Sequence, residues 1–356
     1  MTAPAVPAEP DAPPKKPRRG WKRIAAIAVS LAVIVGTFAF VLPKIANYRD
    51  VWDVVRDLSW QSIGALLLAT ALNLATYAPP WQAALPGLGF RQAFAMTQAS
   101  TASTYIAPGG AAVGMALAFA MLRGWGYAAA PVALAVALTG IWNQFAMLGF
   151  PILAVALLTL VNEKHALLQT VALIGLAIFV IAAGGFALGL SSARLARSVG
   201  DFAARVVDWL LHLIRRGPVT WTGESFVRFR NDAVGLLRRR WHVLTLATLA
   251  GHFTVFILLL VSLRVLGVTA GEVSAIEAFA AWSLVRLLGS LPITPGGLGV
   301  VEVGLTTSLV GFGGANAEVV AAVLVYRFLT IVPVLVLGLV AGATWKRFKP
   351  SALPSA

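Results

Sequence analysis

The chain has 356 residues, of which 59% are hydrophobic and only 12% are charged. A soluble domain does not carry so much apolar surface, so the composition predicts an all-α membrane protein that crosses the bilayer several times. There is no cysteine, which excludes disulfides, thiolate metal sites and cysteine nucleophiles. The formal net charge of +14 could attract nucleic acid, but in a membrane protein it indicates basic loops on the cytoplasmic side.

The N-terminal region, residues 1–23, is rich in Pro and Ala and then basic, which predicts a disordered cytoplasmic tail that contacts anionic lipid headgroups. The apolar run that follows, 24–43, is about 20 residues long, which favours an uncleaved transmembrane helix over the shorter core of a signal peptide. Further apolar runs long enough to cross roughly 30 Å of hydrocarbon bring the predicted transmembrane helices to six. These runs are 60–85, 127–161, 166–190, 241–266 and 316–345.

Two other apolar segments, 92–122 and 276–312, are each interrupted near the middle by Pro-Gly-Gly. Their arms, of roughly 12 to 17 residues, are mostly too short to span a bilayer, and proline stops a helix. Each segment is therefore interpreted as a re-entrant helical hairpin or as one broken helix. The interruptions are called here the first break (Pro108, Gly109 and Gly110) and the second break (Pro295, Gly296, Gly297 and Gly299).

The position of the arginines favours the hairpins. Residues 191–240 contain ten arginines, which lie in the cytoplasm with both termini only if 92–122 returns to its own side, as the positive-inside rule requires. The arginines alternate with Leu, Val, Phe and Trp at helical spacing, which predicts an amphipathic helix on the inner leaflet, with a solvated linker as the alternative. The predicted organisation is a first membrane half (24–190), this basic linker, a second membrane half (241–345) and a cytoplasmic tail (346–356).

The two segments belong to an internal repeat. Ala107-Pro108-Gly109-Gly110 matches Thr294-Pro295-Gly296-Gly297, and upstream of each an Ala-Phe-Ala triplet occurs in the same order. Three predicted crossings separate the segments, and because this number is odd the second copy is upside down relative to the first. Inverted repeats with discontinuous helices are typical of transporters, whereas kinked packing motifs are the structural alternative.

Three charged residues lie in the second half at apparent membrane depth. Arg286 precedes the second break and Glu302 follows it, at roughly 13 and 10 Å from the tip, so they can pair. Arg327 lies about 16 Å into the last predicted helix. Such residues usually mark a functional pathway, and here they suit an anionic headgroup held by two arginines and tuned by Glu302. A structural salt bridge between Arg286 and Glu302 is the alternative.

Other polar residues at this depth are predicted to be hydrogen-bond partners between helices rather than ligands. They are Asn73, Tyr77, Trp142, Asn143, Gln144 and His252. The four histidines have no metal-ligand spacing, so neither a metal nor another cofactor is predicted.

The motif PITPGGLGVVE, preceded by Arg286 and followed by Tyr326-Arg327, resembles the transmembrane region of the lysylphosphatidylglycerol synthases, also called flippase-like membrane proteins. The resemblance implies a bacterial or archaeal plasma-membrane protein that handles phospholipid. The full synthases carry an aminoacyl-transferase domain after the membrane region, and here eleven residues follow Trp345, so we do not expect synthase activity.

The favoured function is a lipid transporter of the flippase type, with anionic or zwitterionic phospholipid as its partner. Two alternatives stay open: a membrane-embedded lipid-modifying transferase, and a subunit that presents lipid to a separate synthase or transferase. No catalytic motif was found, so an enzyme is the less favoured class.

Overall fold

The described part of the chain is helical and contains no strand. The structure is a computed structural model, and it describes residues 49, 52–53, 56–107, 110–160, 166–213, 222–290 and 295–348. Five of its helical segments are long and apolar enough to cross a membrane. The protein is therefore a multi-pass membrane protein.

The helices are numbered here in chain order. The first half contains α1 (Trp60–Ala75), α2 (Pro79–Ala84), α3 (Phe90–Ile106), α4 (Gly110–Gly124), α5 (Ala129–Leu160) and α6 (Ala166–Ser191). The second half contains α7 (Ala193–Leu213), α8 (Gly223–Val265), α9 (Ala275–Gly289), α10 (Val300–Gly311) and α11 (Asn316–Thr344). Short 3₁₀ turns lie at Pro295–Gly297 and Trp345–Phe348.

Five predicted crossings coincide with membrane-length helical segments: α1 with α2, then α5, α6, α8 and α11. The sixth, 24–43, lies outside the described residues, as do the tail 1–23 and most of 346–356. Helix α8 is longer than the predicted crossing 241–266. It begins at Gly223 and runs for 43 residues, about 65 Å, because the arginine-rich stretch before Trp241 continues the same helix.

Each interrupted segment forms two helices that pack against each other. In the first, Gly114 of α4 lies so close to Ser100 that an added Cβ would stand 2.8 Å from its carbonyl oxygen. In the second, an added Cβ on Gly304 of α10 would stand 3.0 Å from Val285 of α9. Glycines at these crossings let the helix backbones approach closely, so each pair folds back side by side.

The second break lies against the end of α3, the helix that precedes the first break. The turn Pro295–Gly297 contacts α3, and an added Cβ on Gly296 would collide with the ring of Tyr105, close to the end of α3. Gly110 is the first residue of α4, whereas Pro108 and Gly109 lie outside the described residues. Helix α11 also packs along α3, with Gly338 against Gln98 and Ala102. Elements of the second half therefore pack directly against α3 of the first half.

Candidate functional site

Glu302 and Arg327 form a buried ion pair that holds the second break. Glu302 lies in the first turn of α10. This helix begins directly after Gly299, whose positive φ of 82° turns the chain into the helix. Its Oε1 accepts a hydrogen bond of 2.6 Å from Nε of Arg327, and its Oε2 accepts one of 2.7 Å from the Gly299 N–H. Arg327 also donates from Nη2 to the Gly296 carbonyl at 3.2 Å. These contacts tie α11 to the break.

The side chain of Arg327 is only 7% exposed and that of Glu302 only 3%, so both charges are almost completely removed from solvent. A buried charge is tolerated when it is paired and its remaining hydrogen-bonding positions are satisfied. Both carboxylate oxygens of Glu302 are used, and Arg327 uses two of its nitrogens. The pair of Glu302 and Arg327 is therefore called here the structural lock, because it holds α11 to the second break.

The alternative of a salt bridge between Arg286 and Glu302 is wrong, because Glu302 pairs with Arg327. The guanidinium of Arg286 instead lies over the ring of Trp282, with its central carbon 5.4 Å from the ring centroid. Its Nε is buried and has no hydrogen-bond partner among the described residues. Similar depths on opposite arms allowed Arg286 and Glu302 to be partners, but depth alone does not show which way a helical side chain faces.

Arg286 lines the wall between two cavities. The larger, of about 1030 Å³, is lined mainly by α3, α4, α5 and α8, with further residues from α2, α6 and α9. The smaller, of about 190 Å³, lies at the breaks and is lined by Tyr105, Gly296 and Arg327. Thr104, Arg286 and Ser290 line both cavities. Arg286 is thus open to both cavities, whereas Arg327 is committed to Glu302.

Two residues that the sequence analysis did not propose as ligands also line the larger cavity, and each has a buried polar atom without a partner. Thr248 Oγ1 and His252 Nδ1, one turn apart on α8, are buried and have no hydrogen-bond partner within the part of the chain that the structure describes. A buried polar group without a partner costs about 1–3 kcal/mol. Their four-residue spacing in an apolar helix was the available signal, since it places both on one face.

The other predicted interhelical partners divide into two groups. Asn73 donates to Thr254 at 3.3 Å and Trp142 donates to Thr245 at 2.9 Å, which confirms the prediction for these two residues. Tyr77, Asn143, Gln144 and His252 line the larger cavity. Asn143 and Gln144 lie near the middle of α5, so the cavity has a polar wall far from the ends of a membrane-length helix.

The chain was compared with known proteins. No match was found among curated proteins. The sequence profile of the family described as the lysylphosphatidylglycerol synthase TM region matches residues 24–338, which is most of the chain, and the protein therefore belongs to this family.

Proposed function

We propose that the protein binds a membrane phospholipid by its headgroup in the larger cavity and moves it between the two leaflets. The observation that carries this proposal is Arg286, a cation with an unused buried Nε on the wall shared by the two cavities. A half-buried cation with one buried nitrogen left without a partner calls for an anionic partner, and a phosphate oxygen is a suitable one.

The proposal assigns different tasks to the three charged residues. Arg286 binds the headgroup phosphate, while Glu302 and Arg327 keep the second break in the shape that forms the smaller cavity. This differs from the expectation of two headgroup-binding arginines, because the hydrogen bonds of Arg327 to Glu302 and Gly296 commit it to the lock.

The membrane topology is part of the proposal. Six transmembrane helices and two re-entrant hairpins of opposite orientation place both termini and the arginines of 191–240 in the cytoplasm, in a bacterial or archaeal plasma membrane. Contact of Gly296 in the second break with Tyr105, near the end of α3, supports this arrangement, because re-entrant hairpins from opposite sides meet near their tips. Irregular backbone is tolerated there because it lies inside the protein beside a cavity.

A plug in the larger cavity tests the function. Gly140 lines that cavity, and an added Cβ on it would meet no atom within 4 Å, so the side chain of Gly140→Leu starts in open space on the cavity wall. Gly149 on the same helix also has room for a Cβ but does not line the cavity, so Gly149→Leu is the matched control.

The measurement is the rate at which phospholipids with a fluorescent acyl chain change leaflets in liposomes. We expect unmodified protein and Gly149→Leu to accelerate the exchange at least tenfold over empty liposomes, and Gly140→Leu to bring it close to the empty rate. Equal rates in liposomes with and without protein, across phospholipids of different headgroups, would refute the function.

A further inference from the structure

The smaller cavity has one positive charge that no carboxylate balances. Arg286 and Arg327 are the charged residues among the described residues that line it. Arg327 is balanced by Glu302, whose Oε1 accepts a hydrogen bond of 2.6 Å from its Nε. Arg286 has no such partner in the described lining. Because an unbalanced charge is costly away from water, this cavity calls for a single negative charge.

Hydrogen-bond donors surround the same space. Nε of Arg286 and Nε1 of Trp282 are buried, and neither has a hydrogen-bond partner among the described residues. Both side chains line the smaller cavity, as do Tyr105 and Tyr326. The Tyr326 hydroxyl lies within electrostatic reach of both Arg286 and Arg327, and the Tyr105 hydroxyl within reach of Arg327. Guanidinium and indole nitrogens only donate, so the lining suits a ligand that accepts hydrogen bonds and carries negative charge.

The size of the smaller cavity suits a small ion. Its volume of about 190 Å³ is roughly six times the share of liquid volume that one water molecule takes. Binding sites for drug-sized organic ligands begin at about 300 Å³. The structural lock holds one wall in place, because Arg327 donates to the Gly296 carbonyl. The cavity therefore has room for a small hydrated ion but not for a lipid headgroup with its glycerol.

We propose that the smaller cavity binds a small monovalent inorganic anion of the halide class. The anion balances Arg286 and accepts hydrogen bonds from its guanidinium, from the Trp282 indole and from the Tyr326 hydroxyl. Because Arg286 also lines the larger cavity, the anion is its partner while no headgroup phosphate is bound there. The anion site goes beyond the proposed transport and does not depend on it.

Anion binding is measured on the full chain in detergent by the temperature of unfolding. Sodium chloride or sodium bromide replaces sodium gluconate stepwise, so that the ionic strength stays constant and a six-carbon anion is the reference. We expect chloride and bromide to raise the unfolding temperature along a curve that saturates, as a ligand of the folded state does. Dimethyl phosphate is added as a further probe, because it carries the phosphodiester charge of a lipid without its chains.

Two pairs of variants place the anion. Arg286→Gln removes the unbalanced charge and should abolish the saturating response to chloride. Arg240 is exposed on α8 and lies outside the described lining of both cavities, so Arg240→Gln should keep the response. Tyr326→Phe removes one hydroxyl from the smaller cavity and should weaken chloride binding about tenfold. Tyr77 lines only the larger cavity, so Tyr77→Phe should leave the chloride affinity unchanged.

Three results would overturn the anion site. The first is an equal, non-saturating effect of chloride and gluconate, which is a general salt effect. The second is saturating chloride binding that persists in both Arg286→Gln and Tyr326→Phe, since the anion would then bind elsewhere. If Arg286→Gln does not fold, the comparison of Tyr326→Phe with Tyr77→Phe decides alone. The third is Tyr326-dependent binding of dimethyl phosphate without binding of chloride, which would assign the cavity to a lipid phosphate.

The anion site and the proposed transport can fail separately, because lipid exchange is read in liposomes and anion binding in detergent. Saturating chloride binding that needs Arg286, without accelerated lipid exchange, would support the anion site and refute the transport. Accelerated lipid exchange by a protein that shows no saturating response to chloride or bromide would overturn the anion site and leave the transport standing.

Discussion

Arg327 is buried and Arg286 is half-buried in the second half, and they differ in what they contact. Arg327 donates to Glu302 and to the Gly296 carbonyl, so its charge stabilises the turn at the second break. Arg286 rests on the face of Trp282 and keeps its Nε unpaired among the described residues. Stability is therefore expected to depend on Arg327, and ligand binding on Arg286.

The lock predicts a stability effect that a second substitution reverses. In Arg327→Met the carboxylate of Glu302 stays buried without its counter-charge, which costs about 3–5 kcal/mol in the free energy of unfolding. The double substitution Arg327→Met with Glu302→Gln removes both charges and recovers much of that loss. Denaturant unfolding in detergent measures the free energy of unfolding of both variants. An Arg327→Met variant as stable as the unmodified protein would contradict the structural lock.

Arg286 is expected to show the opposite behaviour. Arg286→Lys keeps the positive charge but loses the planar fork that binds two phosphate oxygens at once. Lipid exchange in liposomes should fall about tenfold, the equivalent of about 1.4 kcal/mol, while the unfolding free energy changes little. Arg123→Lys, at the end of α4 and outside the cavity lining, serves as control. Equal exchange rates in the two variants would remove Arg286 from the headgroup site.

At the level of elements, α7 divides into three faces. Ala196 and Gly200 are buried, and Gly200 packs closely against Gly223 and Phe226 of α8. A second face carries Arg197, which forms an exposed ion pair with Glu224. The third face, within about 60° on a helical wheel, exposes apolar side chains. These are Leu195, Phe202, Val206 and Trp209.

The position of α7 along the chain explains this third face. One residue separates α7 from α6, a membrane-length helix, so α7 starts where α6 leaves the membrane. Arg230 of α8 donates from Nε to the Leu190 carbonyl at 2.9 Å and from Nη2 to Ser191 at 3.3 Å. A cation there satisfies the free carbonyls at the end of α6 and fixes the turn.

We expect the apolar face of α7 to lie in the lipid interface. Val206→Cys and Arg197→Cys are nine residues apart, which places them about 180° apart around the helix. Because the chain has no cysteine of its own, an environment-sensitive dye reports from one site at a time. In liposomes the dye at 206 should show a blue shift and be quenched by nitroxide lipids, whereas the dye at 197 should not. Equal spectra would place α7 in water.

At the scale of the whole molecule, the two halves are interlocked. Helix α11 of the second half packs on α3 of the first, and the second break touches Tyr105 beside the first. The cavities are formed by both halves, since α3, α5 and α9 contribute walls to each. A shift of one hairpin against the other would therefore change both cavities, which suits alternating access.

The topology can be tested on the two sides of α8. Arg197 is exposed on the polar face of α7, and Gly271 is exposed in the turn between α8 and α9. One crossing separates them, so a membrane-impermeant maleimide should label Gly271→Cys in intact cells and Arg197→Cys in inverted vesicles. Labelling of both cysteines from the same side of the membrane would exclude the proposed topology.

The sequence by itself determined the membrane class, the positions of five crossings, the two broken segments and the family. These features depend on local composition, because about 20 apolar residues suffice for a crossing and Pro-Gly-Gly stops a helix wherever it occurs. The motif from 292 to 302 was enough to indicate the family that residues 24–338 confirm.

Only the tertiary structure decided which charged residues meet. Glu302 could be assigned a depth from residue counting, but its partner depends on the rotation of α10 toward α11, which helix packing sets. The same holds for His252 and Thr248, which are two polar residues in an apolar helix until folding brings α3, α4 and α5 around the cavity that they line. Cavities and ion pairs arise from the relative placement of distant segments, and that placement is a property of the folded whole.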